Sequence, residues 1–367
     1  MTTTIQRHLR FCVGLLIISL LGAGTVTSAQ AAPRTAGTTY YVSPGGSDAN
    51  SGVSSRAALQ TIQSAVDRAQ PGDTIVLAAG DYFQDVVSRR NGTVDAPITI
   101  TGAGAVVRGG GNPRIIEINH DHITLQGFTI DGLWGDLNSK SGYRDKLLYV
   151  IGKAPRDGVS GLRVLNMTFR NAGGECMRMR YFAQHNEVAW SSFQNCGVYD
   201  FRFADGGKNG EGVYIGTAPE QRGDGKNPTS DPDLSNDNWI HRNTFNTQGN
   251  ECVEIKESAS GNIVEGNVCT GQRDPKAGGF AVRGNNNVFR YNESYGNIGA
   301  GIRLGGDADS DGINNAIYGN NFHGNQAGGI KLQRGPQVQV CGNTVVNNGA
   351  RSVIGKHRKG IDPARPC

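Results

Sequence analysis

At 367 residues, with 19% charged side chains and a formal charge of +4, the chain is long enough for one continuous core. Its basic excess is too small for a nucleic-acid binder, whose basic face is usually much stronger. Glycine fills 54 positions, aromatics make up 7%, and the apolar stretches are short, alternating and separated by Gly/Asn turns, which disfavours long helices and favours many short strands with tight corners.

Arg7 and Arg10 precede the apolar run from Phe11 to Gly24, and Ala29-Gln30-Ala31 supplies a small-x-small cleavage pattern. Residues 1–31 therefore read as a secretory signal peptide, and its removal takes the formal charge from +4 to +2. No later stretch approaches the roughly 18 apolar residues of a membrane span, so a secreted, extracellular, soluble monomer is expected, with neither membrane nor nucleic acid as partner. Residues 32–367 read as a single domain: a cap at about 40–72, coils at about 73–349 and a tail at 350–367.

In the cap, Leu59, Ile62, Ala65, Val66 and Ala69 fall on one helical face, and Pro71-Gly72-Asp73 stops that helix before a strand at Thr74 to Ala78. An open solenoid end exposes core and unpaired backbone, so an amphipathic cap is a structural need and receives no catalytic role. His122 to Gly127, Gly161 to Phe169 and Asn186 to Phe193 read as early coils.

From residue 212 onward one strand pattern recurs, at Gly212 to Gly216, Cys252 to Lys256, Gly279 to Arg283, Gly301 to Gly305 and Gly329 to Gln333. Alternation turns Val253/Ile255, Phe280/Val282, Ile302/Leu304 and Ile330/Leu332 inward, and Glu254, Lys256, Arg283, Arg303 and Lys331 outward. A second phrase ends in Asn243, Asn267, Asn292, Asn320 and Asn343, spaced by 24, 25, 28 and 23 residues. Such a period belongs to stacked coils of roughly 22 to 28 residues, about ten in all, and the asparagines are expected to form hydrogen-bonded ladders at one corner. The expected fold is all-β, a single-stranded right-handed parallel β-helix with an N-terminal capping helix.

Within this regularity Thr217 to Asn236 and Thr270 to Ala277 are insertions, and both can wall the space beside Lys256. Upstream of the first, a glycine-rich corner carries Glu211, and the outward Tyr214 beside it can stack on a sugar or supply a proton. The column of outward charges is either a solvated ion-pair ladder or a saccharide groove, with Glu254, Arg303, Lys331, Tyr214 and Glu211 as substrate-binding candidates. Asp307, Asp309 and Asp311 alternate like the first half of a calcium loop, although Tyr318 stands where that loop needs its closing glutamate. Discarding Cys12 with the signal leaves six cysteines. The pairs Cys176/Cys196, Cys252/Cys269 and Cys341/Cys367 are each separated by about one coil, although six cysteines allow 15 connectivities. The basic tail Lys356-His357-Arg358-Lys359 reads as a solvated segment held near the body by Cys367.

Tyr40 to Asp48, the Thr61 to Val66 helix and Pro71 to Ile75 resemble the start of secreted pectate-lyase-like β-helix proteins. Glu251 to Lys256, Gly261 to Asn267 and Gly279 to Gly284 are similar to the core of the alginate lyase and chondroitinase B polysaccharide lyase family, over about 60 residues. That resemblance implies an acidic polysaccharide substrate and β-elimination, with Lys256 as general base and Arg283, one coil later, assisting. It also implies calcium, held by an asparagine and two acids ahead of the lysine. Here Glu251 matches the second acid, whereas Gly249 stands at the first. The chemistry suits these residue types on its own terms, because removing the proton next to a uronate carboxylate needs a base and a positive group near that carboxylate. Arg283 beside Lys256 lowers the lysine pKa and Glu254 raises it, and the sequence does not decide between them. A glycoside hydrolase using two of Glu211, Glu251, Glu254 and Asp205, and a non-catalytic carbohydrate-binding surface protein, remain alternatives on the same fold.

Overall fold

The computed structural model describes residues 37–349 and 351–367, so the signal-peptide reading of 1–31 lies outside the described residues. Short alternating strands stack in parallel into three sheets of 11, 10 and 10 strands. The first sheet runs from Thr39–Val42 to Gln339–Cys341, the second from Gly80–Tyr82 to Thr344–Val346 and the third from Val86–Val87 to Val353–Ile354. From the second coil onward each turn contributes one strand to each sheet in rotation, which is a parallel β-helix.

The inward side chains make one core along the axis, and Val253, Ile255, Phe280, Val282, Ile302, Leu304 and Ile330 are all fully buried within it. Neighbouring coils place like on like. Phe169, Phe193 and Phe245 stack in register with centroids 4.7 Å apart at each step. At the corner after the first sheet, Asn243, Asn267, Asn292 and Asn320 each donate from Nδ2 to Oδ1 of the asparagine one coil later, at 2.9–3.0 Å, ending on Asn343. The expected ladder is therefore present. Similar ladders run from Asn186 through Asn238 and Asn262 to Asn287, and from Asn297 through Asn325 to Asn348. Each satisfies buried amides that would otherwise cost about 1–3 kcal/mol.

Helix Ile62–Arg68, with Thr61 accepting from Ser64 N at 3.1 Å as its N-cap, lays Ile62, Ala65 and Val66 over the first coil. The disulfides join Cys176 to Cys196, Cys252 to Cys269 and Cys341 to Cys367. The long insertion after Gly216 is pinned to the body by Asp233, which is fully buried and accepts from Tyr181 N, Phe182 N and the Thr217 hydroxyl. It thereby becomes a fixed wall over the third sheet. Among the described residues no helix is long and apolar enough to cross a membrane.

Candidate active site

The third sheet sets its outward residues in rows. Pairing of Val213–Ile215, Val253–Ile255, Gly278–Val282, Ala300–Leu304 and Gly328–Leu332 lines up Tyr214, Glu254, Ala281, Arg303 and Lys331. Two residues along each strand a second row holds Gly216, Lys256 and Arg283, because Ile215, Ile255 and Val282 pair in register. Lys256 and Arg283 thus stand side by side on successive coils. Gly216 has φ +92°, and a Cβ there would meet the Cβ of Lys256 at 3.1 Å, so glycine suits both the backbone and the lysine stem. On the other flank the register brings Glu175, Glu211 and Glu251 together.

Charge on this floor is unevenly paired. Glu175 is buried between Lys146, at 2.9 Å, and Arg178, at 2.5 Å; burial opposes its charge, but the two cations hold its carboxyl far below the usual range. Lys256 Nζ lies 3.0 Å from Glu254 Oε1. Burial pushes the lysine pKa down and Arg283 adds to that, yet Glu254 and Tyr214 win and the ammonium is held above its ordinary value. The contest the sequence left open is decided for the charged form. Among the described residues Glu211 and Glu251 have no cation within ion-pair distance. Burial, then the charges of Glu254 and Glu175, raise Glu211 from an ordinary 4.5 to about 8, and burial with Glu254 and Glu211 raises Glu251 well above the carboxylate range.

Tyr214 lies between cations, with the Arg178 guanidinium 4.0 Å and Lys256 Nζ 4.8 Å from its ring centroid. Burial raises its phenol and the two cations draw it part of the way back. Arg283 is occupied, paired with Glu257 from the preceding coil and Asp307 from the following one. Arg303 is the contrast: among the described residues its guanidinium has neither an acid partner nor a protein hydrogen bond, and burial followed by Arg283 lowers its pKa. Lys331 donates to the Lys276 carbonyl at 2.7 Å.

Lys208, Tyr214, Glu254, Lys256, Arg283 and Arg303 line a cleft of about 300 Å³. Glu220 and Gln221 of the long insertion and Asp274 to Ala277 of the second one form its sides, as the loop lengths suggest. Through Asn209 and Gln221 it meets a second hollow of about 670 Å³ over the preceding coils, lined by Tyr149, Arg178 and Arg180. Arg178 and Glu175 are parts of the site that the sequence reading missed. The alternation Met177-Arg178-Met179-Arg180, whose arginines point outward, was the available signal.

The expected calcium residues separate into two groups. Asp307 is engaged by Arg283, Asp309 lies 3.4 Å from Arg334, and Asp311 accepts from Ala308 N at 2.9 Å, so these three acids do not converge. The cause is local: cations on neighbouring coils and the turn's own backbone take the carboxylates one by one. Glu251, by contrast, joins Glu211 and Glu254, with one oxygen of each within 4.8 Å of the others. Glu251 Oε2 and Asn250 Oδ1 are buried there without a partner. An all-oxygen set of this spacing fits a hard cation, whose ligands sit 2.3–2.6 Å from the ion. Gly249, at the resemblance's first acid position, lies against the Cys196 carbonyl, which a Cβ would approach at 2.1 Å, so no side chain fits there.

A family model described as the right handed beta helix region matches residues 156–362. The chain belongs to the right-handed β-helix family. An alginate lyase from Paenibacillus sp. str. FPU-7 superposes with a TM-score of 0.66 at 21% identity, covering 81% of this chain and 95% of that one. The pectate lyase Pel9A gives 0.55 at 17% identity, covering 87% and 80%, and XylC in complex with xylose gives 0.51 at 11%, covering 81% and 70%. At these identities the likeness establishes the fold. No curated protein matches.

Proposed function

We propose that the protein is a secreted polysaccharide lyase that cleaves a uronic-acid-containing polysaccharide by β-elimination. The observation that carries this reading is Arg303: a guanidinium without a partner among the described residues, in a cleft beside a largely buried lysine and a tyrosine, is suited to a ligand carboxylate. Two of the superposed proteins are named as alginate and pectate lyases, which agrees with an acidic polysaccharide substrate. The three disulfides suit an oxidising, extracellular setting.

In this reading Arg303 receives the uronate carboxylate and Arg283, held by Glu257 and Asp307, adds fixed positive charge behind it. This shifts the carboxylate-binding role expected of Arg283 onto the next coil. Lys256 acts in its neutral form, reached when its ammonium, held charged by Glu254 at 3.0 Å, loses its proton to solvent at alkaline pH. The amine then takes the proton next to the substrate carboxylate. The electron pair of that C–H bond forms the new C=C bond, the bond from ring carbon to glycosidic oxygen breaks, and the Tyr214 hydroxyl supplies the proton the leaving oxygen needs. Calcium, where bound, would be held by Glu211, Glu251, Glu254 and Asn250 and would add positive charge next to the substrate carboxylate. A hydrolase would need two carboxyl groups at least about 5 Å apart across a sugar. Glu211, Glu251 and Glu254 are packed together on one floor and Asp205 pairs with Lys140, so the geometry does not favour that alternative.

Incubation with alginate, polygalacturonate and dermatan is expected to generate the ultraviolet absorbance of an unsaturated uronate with at least one of them. New reducing ends without that absorbance would overturn elimination.

The raised Glu211 carboxyl also sets a pH dependence. Its folded pKa of about 8 stands above the ordinary 4.5, so the native state holds the extra proton and this contribution to stability is lost as pH rises through 8. Without calcium, thermal stability should fall between about pH 4.5 and about pH 8, the ordinary and the folded values of Glu211; calcium should displace the proton and restore stability at the alkaline end. Glu211→Gln should flatten both responses. Melting curves that show no effect of calcium at high pH would remove the proposed cation seat.

A further inference from the structure

The corner between the first and second sheets repeats one backbone conformation. Residues 127, 166, 190, 242, 266, 291, 319 and 342 all have positive φ, between 51° and 74°. Glycine occupies 127, 266, 319 and 342, and Asn166 is the polar residue most tolerant of this region. The other three are Trp190, Arg242 and Tyr291. A bulky side chain in the left-handed region costs roughly 1–2 kcal/mol, and burial gives no compensation here: Trp190 is 46% and Tyr291 63% exposed, and Arg242 is exposed too. Strain kept at exposed positions is a pointer to function.

These residues make one lane. Trp190 and Arg242 sit on successive coils, and Tyr291 follows two coils further, about 14 Å from Trp190 along the axis at the usual strand spacing. The Tyr291 ring lies over Gly319, where a Cβ would approach it to 2.6 Å. Trp239, 40% exposed, widens the surface; it stacks on His241 at 3.6 Å, and Trp190 meets the same imidazole edge-on at 5.1 Å. Nearby acids are already neutralised, Glu187 by Arg163 and Glu265 by Arg290, whereas Arg242 has no acid partner among the described residues and lies 5.7 Å from the Trp190 ring centroid. Flat aromatic rings spaced along a line, with one uncompensated cation between them, complement an acidic sugar chain: rings for the sugar faces and Arg242 for a carboxylate.

We infer that Trp190, Arg242 and Tyr291 form a second binding lane for an acidic polysaccharide, on the corner of the coil opposite the third sheet and its cleft. Held at two places, a long chain would bind more tightly than either contact alone allows. Short oligomers, which reach only the cleft, would gain nothing.

The test is the triple variant Trp190→Asn, Arg242→Asn, Tyr291→Asn, which relieves the left-handed strain. Retardation of the otherwise unaltered protein is measured in gels containing alginate, polygalacturonate or neutral xylan, next to its melting temperature. The expected result is a loss on the order of tenfold in affinity for the long acidic polymer, equal to about 1.4 kcal/mol. Turnover of short oligomers and weak retention by xylan should be unchanged, with a melting temperature at or above that of the parent. Unchanged retardation, or a parent protein that none of the gels retards, overturns the proposal. So does a lower melting temperature, because that is the signature of a merely structural role. Retardation is read independently of cleavage, so failure of the lyase reading leaves this outcome interpretable.

Discussion

Lys256→Ala is expected to abolish elimination, lowering kcat/KM on the order of 10²–10⁴-fold, the usual worth of a positioned general base. The lysine side chain is 11% exposed on a floor with three carboxyl groups, and among the described residues its only short polar contact is to Glu254. In the variant Glu254 loses its counter-charge but keeps its place beside Glu211 and Glu251, and the core beneath it is untouched. The fold should therefore survive, as circular dichroism and the melting temperature will report. Two further readouts separate a base from a merely positioning group. Activity of the parent should rise with pH from neutral into the alkaline range, because the amine is held above its ordinary pKa and only its neutral form accepts a proton. That limb should vanish in the variant, and added small primary amines should restore part of the rate. Full activity in a folded Lys256→Ala protein would remove the lysine from the chemistry.

What the sequence disclosed and what it concealed follow from how a coil is built. Alternation over five residues fixes which side chains enter the core, so Val253 and Ile255 or Phe280 and Val282 are legible one strand at a time. The asparagine ladder is equally legible, because its members recur at nearly constant spacing. The cysteine pairs lie about one coil apart and were readable on the same ground. The site is different in kind, because it is assembled across coils whose lengths vary. Tyr214 and Glu254 are register partners, yet the insertion after Gly216 separates them by 40 residues. The partners of Arg283 come from the coil before and the coil after, at Glu257 and Asp307. Arg178 belongs to a strand, and Glu175 to the turn just before it, whose place beside Glu211 cannot be counted from any local motif. The Asp307 to Asp311 pattern reads as a local ligand set, but Arg283 and Arg334 reach Asp307 and Asp309 from neighbouring coils, which no local motif shows.

The difference between Arg283 and Arg303 yields the second large effect. Arg303→Gln should lower kcat/KM by roughly 30- to 150-fold, the equivalent of about 2–3 kcal/mol for a lost charge-assisted bond to the substrate carboxylate. Its melting temperature should hold or rise, since a half-buried guanidinium without an acid partner is desolvated with little return. Arg283→Gln should behave in the opposite sense. Glu257, buried at 6% exposure, and Asp307 both lose their partner, so stability falls along with activity. The geometry of the row explains the asymmetry: Ala281 leaves the position between Glu254 and Arg303 empty of side-chain bulk, and a sugar carboxylate can occupy that gap and complete the Arg303 ion pair from outside. A free uronate should accordingly raise the melting temperature of the parent and of Arg283→Gln, but not of Arg303→Gln. If the glutamine at 303 leaves turnover intact while the one at 283 removes it without loss of stability, the carboxylate belongs to Arg283, and the unpaired guanidinium one coil later has another purpose.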